Sequence, residues 1–357
     1  MSALVKVPGV RIAAVCDVYE PHLLEAAKLA DPKASRSRHY RELLDRKDID
    51  AVLIASPDHW HVPMAVDACD SGKDVYVEKP LTHDLSQGKA IIDAQNRHRK
   101  IIQVGMQQRS MPHIQKAREA FKAGRIGRLF RIHLTWNRGG STRFNRGPQN
   151  VVPARLAWDD FVGHAPHQSY NEYRFRNWRW FWDFGGGVLT DLMVHWIDVA
   201  HWFMETDHPL SASAFGTHLA SKDLWETPDT IQCILQYPGD VQAHFEGTFS
   251  NATRGAMIEF LGTEGTIYID RGRYELIPEP GRGKPEQWIL GSNPRKGADF
   301  YDQPDGELLH LTNWVECVRS RKTPSAPAEA GVSAAAAAHL GNQAYRSGQV
   351  AHWPTET

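Results

Sequence analysis

Between residues 11 and 104 short, almost continuously apolar runs alternate with helix-forming stretches, and this alternation constrains the fold more than any other feature. Residues 11–16, 51–55, 75–77 and 101–104 read as strands. Residues 21–29, 40–47, 63–71 and 85–99 read as the helices between them. Strands without polar alternation are covered on both faces, which predicts a parallel sheet with helices on each side. The pattern changes near residue 110. A helix over 113–123 stops at Gly124, and strand then follows strand at 129–136, 211–218, 230–236, 241–249, 257–261 and 266–274. Strands in succession predict a second, α+β domain on a mostly antiparallel sheet. The Arg-, Asn-, Pro- and His-rich stretch 139–179 predicts a long loop, and helices over 307–320 and 329–347 close the chain. A chain of 357 residues has room for two such domains, drawn here as 1–110 and 111–357.

Composition removes several function classes. Forty-one basic residues face 42 acidic ones, for a net charge of −1, which excludes a non-specific nucleic-acid binder. No apolar run reaches transmembrane length, so no membrane partner is expected. The four cysteines, Cys16, Cys69, Cys233 and Cys317, are scattered and form no CxxC, which argues against both a disulfide framework and a thiolate metal site. They fit a reducing cytoplasm, as does an N-terminus without a basic-then-apolar leader; an export signal lost upstream would instead place the protein in the periplasm. Twelve tryptophans and 18 histidines suit a cleft that stacks on sugar C–H faces and takes hydroxyl protons.

Four motifs carry chemistry. In Val75-Tyr-Val-Glu-Lys-Pro80 a strand ends and Glu78 and Lys79 leave its carboxyl edge, where ligands bind in open α/β sheets. Lys79 there either steadies a substrate oxygen or pairs in solvent with Glu78. In the second motif, Gly185-Gly-Gly187 opens an apolar helix whose polar residues Asp191, His195 and Asp198 fall on one stripe. Asp191, one turn before His195, can orient the imidazole as a general base; a hydrogen-bonded core pair or, less readily, a metal site with His59 or His61 are the alternatives. In the third, Ser56-Pro-Asp-His-Trp-His61 follows another strand, and Asp17 ends a third; an acidic residue at that place binds the adenine ribose and disfavours a 2′-phosphate. In the fourth, Arg174–Trp182, tryptophans and arginines interleave, as a sugar platform or as ordinary core and interface residues.

Glu78-Lys79-Pro80, the Gly185-Gly-Gly…Asp191-x-x-x-His195 helix and the ending Cys317-Val-Arg-Ser-Arg-Lys322 together resemble the Gfo/Idh/MocA oxidoreductases over essentially the whole chain. The resemblance implies a Rossmann domain followed by an α+β domain whose open sheet joins subunits in a homo-oligomer, a dimer or tetramer. It implies hydride transfer between NAD, less readily NADP, and a sugar, cyclitol or related hydroxyl. It makes Lys79, Asp191 and His195 the catalytic trio and places Asp17, Ser56, Pro57, His61, Glu78 and Lys79 around the dinucleotide. It sets Arg109, Trp158, Arg176 and Trp178 along the carbohydrate cleft, and it implies no metal.

One departure stands out. The first Rossmann strand and its Gly-x-Gly-x-x-Gly turn are missing, so the sheet is expected to be N-terminally incomplete, with two strands left without a neighbour. A recorded start that is too late accounts for this; the alternative is a chain that binds dinucleotide weakly or not at all. Three functions are therefore weighed: an NAD-dependent sugar or polyol dehydrogenase; a glycoside hydrolase that oxidises, eliminates, hydrates and re-reduces with retained NAD; and a truncated, non-catalytic sugar binder.

Overall fold

The structure is a computed structural model and describes residues 1–140, 150–290 and 305–354. Strands β1 (Ala14–Cys16) and β2 (Ser35–Ser37) pair in parallel, and β3 (Ala51–Ile54), β4 (Asp74–Val77) and β5 (Ile102–Val104) form a second parallel set in that order. Helices α1 (Glu20–Ala27), α2 (Tyr40–Leu44), α3 (Asp58–Asp70) and α4 (Gln87–His98) connect them. All four residues of β4 are buried, the reason its sequence shows no polar alternation. β1 and β3 share no hydrogen bond. The parallel layer is thus in two pieces, divided where the first Rossmann strand was expected to be missing.

The outer edge of β5 is covered by the segment before the last helix, with Val104 N–H donating to the Ala326 carbonyl at 2.9 Å. That segment links α9 (Gly306–Ser320) to α10 (Ala328–Ser347). Leu311 and Trp314 of α9 pack on Tyr76 and Ile101, together with Ala3, Leu4 and Val7. α9 therefore packs on the parallel layer although it lies after residue 110. The chain returns to its first layer near its end.

The second layer is a nine-stranded sheet in the order β13 (Glu286–Ile289), β12 (Arg273–Pro278), β11 (Gly265–Asp270), β10 (Ala256–Gly262), β6 (Leu129–Asn137), β9 (Val241–Thr248), β8 (Thr230–Tyr237), β7 (Ser211–Thr217), β14 (Ala351–His352). Neighbours are antiparallel except β6 and β9, which run parallel. Helices α5 (Pro112–Lys122), α8 (Val194–Met204) and α10 cover one face. Alternate residues such as Ile231, Cys233 and Leu235 point to them and are buried, while Ile234 on the other face is 45% exposed.

Several expected elements differ in detail. The run 266–274 is two strands, because Asp270 accepts hydrogen bonds from the backbone N–H of Gly272 (2.8 Å) and Arg273 (2.9 Å) and turns the chain. α3 starts at Asp58 rather than Pro63: Pro57 holds the N-cap, Asp58 puts an acid in the first turn, and Pro63 lies inside the helix. Within 139–179, α6 (Trp158–Val162) and α7 (Glu172–Arg176) interrupt the expected loop, and residues 141–149 lie outside the described residues. No helix among the described residues is long and apolar enough to cross a membrane.

If α9 covers the parallel layer, Trp314→Ala should cost about 3–5 kcal/mol, the usual penalty for emptying a buried indole site. A urea unfolding midpoint unchanged from the parent would place α9 elsewhere.

Candidate active site

β4 ends at Val77, and Glu78 and Lys79 leave its carboxyl edge ahead of a cis Lys79–Pro80 bond. The Lys79 ammonium donates to the Asp191 backbone carbonyl at 2.6 Å and to Asp191 Oδ1 at 2.8 Å. These contacts join the parallel layer to the helix that carries Asp191 and His195. That helix is not regular. Leu189–Met193 is a π turn, and Val194 N–H reaches back to the Leu189 carbonyl. Such wide turns recur at functional sites, and here the carbonyl of Asp191 is taken by Lys79. The turn is entered through Gly187, at φ +67°, where a Cβ would lie 2.6 Å from Cβ of Thr227. Only glycine suits that place.

Arg179 approaches Asp191 from the other side, with Nε 3.3 Å from Oδ1, and its guanidinium lies 4.1 Å over the Trp178 ring. Burial pushes the Asp191 carboxyl up, but Lys79 and then Arg179 outweigh it and hold the group well below the usual carboxylate range. Asp58, only 4% exposed at the start of α3, shows the opposite balance: burial lifts it well above the carboxylate range against Arg179 and Lys79. Two carboxyls of the site are thus pushed in opposite directions.

His195 stacks on Trp136 at the end of β6, with centroids 5.0 Å apart and planes at 25°. Its Nδ1 lies 3.0 Å from Oε1 of Gln108. Burial, then Lys79 and Arg271, drive its imidazole well below the ordinary histidine range, while Asp191 pulls weakly the other way. The ring is therefore neutral at neutral pH. The expected Asp191–His195 hydrogen bond is not formed: the carboxylate is engaged by Lys79 and Arg179, and the π turn winds wider than the α-helix assumed from the sequence. Asp198, the third polar residue of the stripe, is 1% exposed and bound by Arg109 through three contacts of 2.8–3.0 Å.

The residues assigned to a dinucleotide occupy the carboxyl edges of both parallel sets. Asp17 follows β1; its Oδ1 accepts from Tyr19 N–H at 2.8 Å and its Oδ2 lies 3.6 Å from His22 Nδ1. Ser56 and Pro57 follow β3, and Ser56 Oγ is buried without a partner. Glu78 lies against Gly105, where a Cβ would come within 2.6 Å of its carboxylate. His61 does not face this edge freely. Its ring nitrogens lie 2.7 Å from the Pro80 carbonyl and 2.9 Å from the Ser56 carbonyl, so it braces the loop instead. Asp17, Ser56, Glu78 and Lys79 fit the ribose and nicotinamide parts of a dinucleotide, whereas no glycine-rich turn for the pyrophosphate occurs in the sequence.

The expected cleft residues divide. Arg109 is only 9% exposed and tied to Asp198 and the Ser325 carbonyl, a structural role that a charge count along the sequence does not reveal. Trp158 stacks on Phe161 and donates to the Gln168 carbonyl at 2.8 Å, in an aromatic cluster with Tyr19, Phe175 and Phe184. Arg176 is half-buried at the end of α7, while Trp178 reaches the site through Arg179. Arg179, Asp58, Gln108 and Trp136 were not singled out from the sequence. Arg179 and Asp58 sit inside motifs already noted, but nothing local marks Gln108 or Trp136. Among the described residues no group of three or more His, Cys, Asp or Glu is arranged to hold a metal.

A two-piece parallel layer that offers a lysine from its carboxyl edge to an acid and an imidazole on a second, sheet-based domain defines a two-domain Rossmann oxidoreductase. Residues 1–106 match the profile described as the oxidoreductase family with NAD-binding Rossmann fold, and residues 114–268 match the GFO/IDH/MocA C-terminal domain. The chain belongs to the Gfo/Idh/MocA family of oxidoreductases. It is 27% identical over 332 residues to scyllo-inositol 2-dehydrogenase (NAD(+)) of Bacillus subtilis, covering 89% of this chain and 81% of the relative. It superimposes on levoglucosan dehydrogenase in complex with NADH and levoglucosan with a TM-score of 0.75, at 18% identity over 99% of this chain and 94% of the other, a likeness of fold. A 100-residue stretch is 39% identical to an α-N-acetylgalactosaminidase of Shewanella oneidensis, covering 26% of this chain and 22% of that protein.

The buried Arg109–Asp198 pair gives a sharp stability test. Arg109→Met alone strands a carboxyl in the interior and should cost about 3–5 kcal/mol. Arg109→Met with Asp198→Leu should recover most of that loss in thermal or urea unfolding. Equal melting of the single variant and the parent would show that the pair carries no such weight.

Proposed function

We propose that the protein is an NAD-dependent dehydrogenase of a ring hydroxyl on a sugar, glycoside or cyclitol, with Lys79, Asp191 and His195 as its catalytic residues. The observation that carries this reading is the contact of Lys79 with Asp191, made from the carboxyl edge of the cofactor domain onto the helix of His195. An ammonium has three N–H donors, and Lys79 uses two on Asp191, which leaves one for a substrate oxygen. The neutral imidazole of His195 takes the hydroxyl proton. The ionised Asp191 offsets the charge that His195 acquires, acting across space rather than through a hydrogen bond. Lys79 steadies the oxygen as negative charge builds on it. Bound NAD+ supplies the hydride acceptor, so that the carbinol becomes a ketone. Asp17, Ser56, Pro57, Glu78 and Lys79 hold the dinucleotide, and the Asp17 carboxylate disfavours a 2′-phosphate and hence NADP. Trp178, brought to the site by Arg179, and Arg176 nearby serve the carbohydrate.

The same proposal includes a homo-oligomer through the outer face of the nine-stranded sheet, where Phe215 is 82% exposed and Ile234 and Ile277 add apolar surface. Four free thiols suit a reducing compartment, and the cytoplasm is our placement.

A second reading follows from the stretch shared with the α-N-acetylgalactosaminidase: oxidation of a glycoside ring hydroxyl, loss of the aglycone, addition of water and re-reduction. NADH absorbance separates the two. Accumulating NADH with a cyclitol or free-sugar panel supports the dehydrogenase; aglycone release from nitrophenyl glycosides without net NADH supports the hydrolase. Quenching of tryptophan fluorescence by added NADH tests cofactor binding directly, and its absence at millimolar NADH would support a non-catalytic sugar binder.

His195→Ala should lower kcat roughly 10²–10⁴-fold with little change in NADH affinity, the usual worth of a general base. Unchanged turnover would remove His195 from the mechanism. Because surroundings disfavour the imidazolium, His195 stays able to accept a proton as pH falls through 6.5, the ordinary histidine value. The acid limb of kcat/KM should therefore lie below that pH, and an inflection above it would contradict the assignment.

A further inference from the structure

A neutral imidazole carries one N–H, and a base works only from the nitrogen without it. Which nitrogen of His195 is free is a question that Asp191 cannot answer here, since its carboxylate is held by Lys79 and Arg179. The residue that touches the ring is Gln108, 2% exposed, with Oε1 3.0 Å from Nδ1.

The placement of Gln108 is built in. It lies in the short turn Gln107–Ser110, whose next residue is fastened to the helix of His195. Arg109 holds Asp198, three residues after His195, by contacts of 3.0, 2.9 and 2.8 Å, and reaches the Ser325 carbonyl at 3.3 Å. Ser110 Oγ lies 2.7 Å from His310 Nδ1 on α9. Adjacent residues of the turn thus engage two residues on one face of α8. Trp136, 3% exposed, fixes the plane of the ring from the other side. Tilting the imidazole would break the stack, and flipping it would break the bond to Gln108.

We infer that Gln108 is a positioning residue for His195: its side-chain carbonyl accepts the Nδ1 proton and thereby leaves the Nε2 lone pair to act as the base. This rests on the proposed role of His195. An amide suits the task better than a carboxylate would. It holds the tautomer without stabilising the imidazolium, so the ring is left neutral beside Lys79 of β4, Arg271 of the β11–β12 turn and Arg138 at the end of β6, with Asp191 on its own helix as the opposing charge.

The test uses the full chain labelled with 15N-histidine, the His195 signals being identified by their loss in His195→Gln. The parent should show His195 protonated on Nδ1, and Gln108→Leu should show a mixture or the opposite tautomer. In kinetics, Gln108→Leu should lower kcat roughly 10–100-fold with KM and NADH affinity little changed, a share of the usual worth of a general base. Gln108→Glu should keep the tautomer and move the acid limb of kcat/KM up by about one pH unit, because a carboxylate favours the charged ring. A parent protein protonated on Nε2 overturns the inference even if neither Gln108 variant folds, and so does a folded Gln108→Leu with unchanged tautomer and pH profile. Failure of the parent to oxidise any polyol would instead strike the proposed function, and the tautomer measurement would still decide the role of Gln108.

Discussion

The structure turns on one half-buried ion pair. Lys79 leaves the parallel layer and Asp191 leaves the helix on the nine-stranded sheet, and their contacts of 2.6 and 2.8 Å place two independent layers in one register. An ammonium and a carboxylate removed from bulk water are stable only when hydrogen-bonded and paired. Here the pairing is shared: Asp191 also takes Arg179, and Lys79 also takes the Asp191 backbone carbonyl, which lies within the π turn.

Around that pair the charges are arranged unevenly. Lys79, Arg138, Arg179 and Arg271 act on the groups of the site, and the responses differ. Asp191, in direct contact with two cations, is held ionised. Asp58, buried and acted on by Arg179 and Lys79 through space, is pushed the other way. His195, without a carboxylate partner, stays neutral. A neutral imidazole beside a fixed cation and an ionised acid is the combination that the proposed proton removal from an alcohol requires.

β1–β2 and β3–β4–β5 are separate parallel sets, and the carboxyl edges of both carry Asp17, Ser56 and Glu78. These edges are held by neighbours that lie far away in sequence. α9 and the start of the chain pack on the faces of β4 and β5, and the Ala326 carbonyl covers the outer edge of β5. Through this long return of the chain, a helix that follows residue 110 packs on the first layer.

The sequence by itself determined the class of fold, because burial on both faces of a strand or on one face writes itself into local hydrophobic order. It also marked Lys79, Asp191 and His195, since each sits in a local pattern: an edge after an apolar strand, and a polar stripe on an apolar helix. What it could not determine was pairing. The resemblance set Arg109 in the cleft, and the structure pairs it with Asp198, 89 positions away; it set His61 at the cofactor, and the structure lays its ring between the Pro80 and Ser56 carbonyls, one of which its single N–H can reach. Asp191 was matched with His195 on α-helical spacing, and only the packed structure, through the π turn and the reach of Lys79, gave Asp191 to the lysine and His195 to Gln108. Hydrogen bonds and ion pairs form between groups that meet in space, and one-dimensional order records the groups but not the meeting.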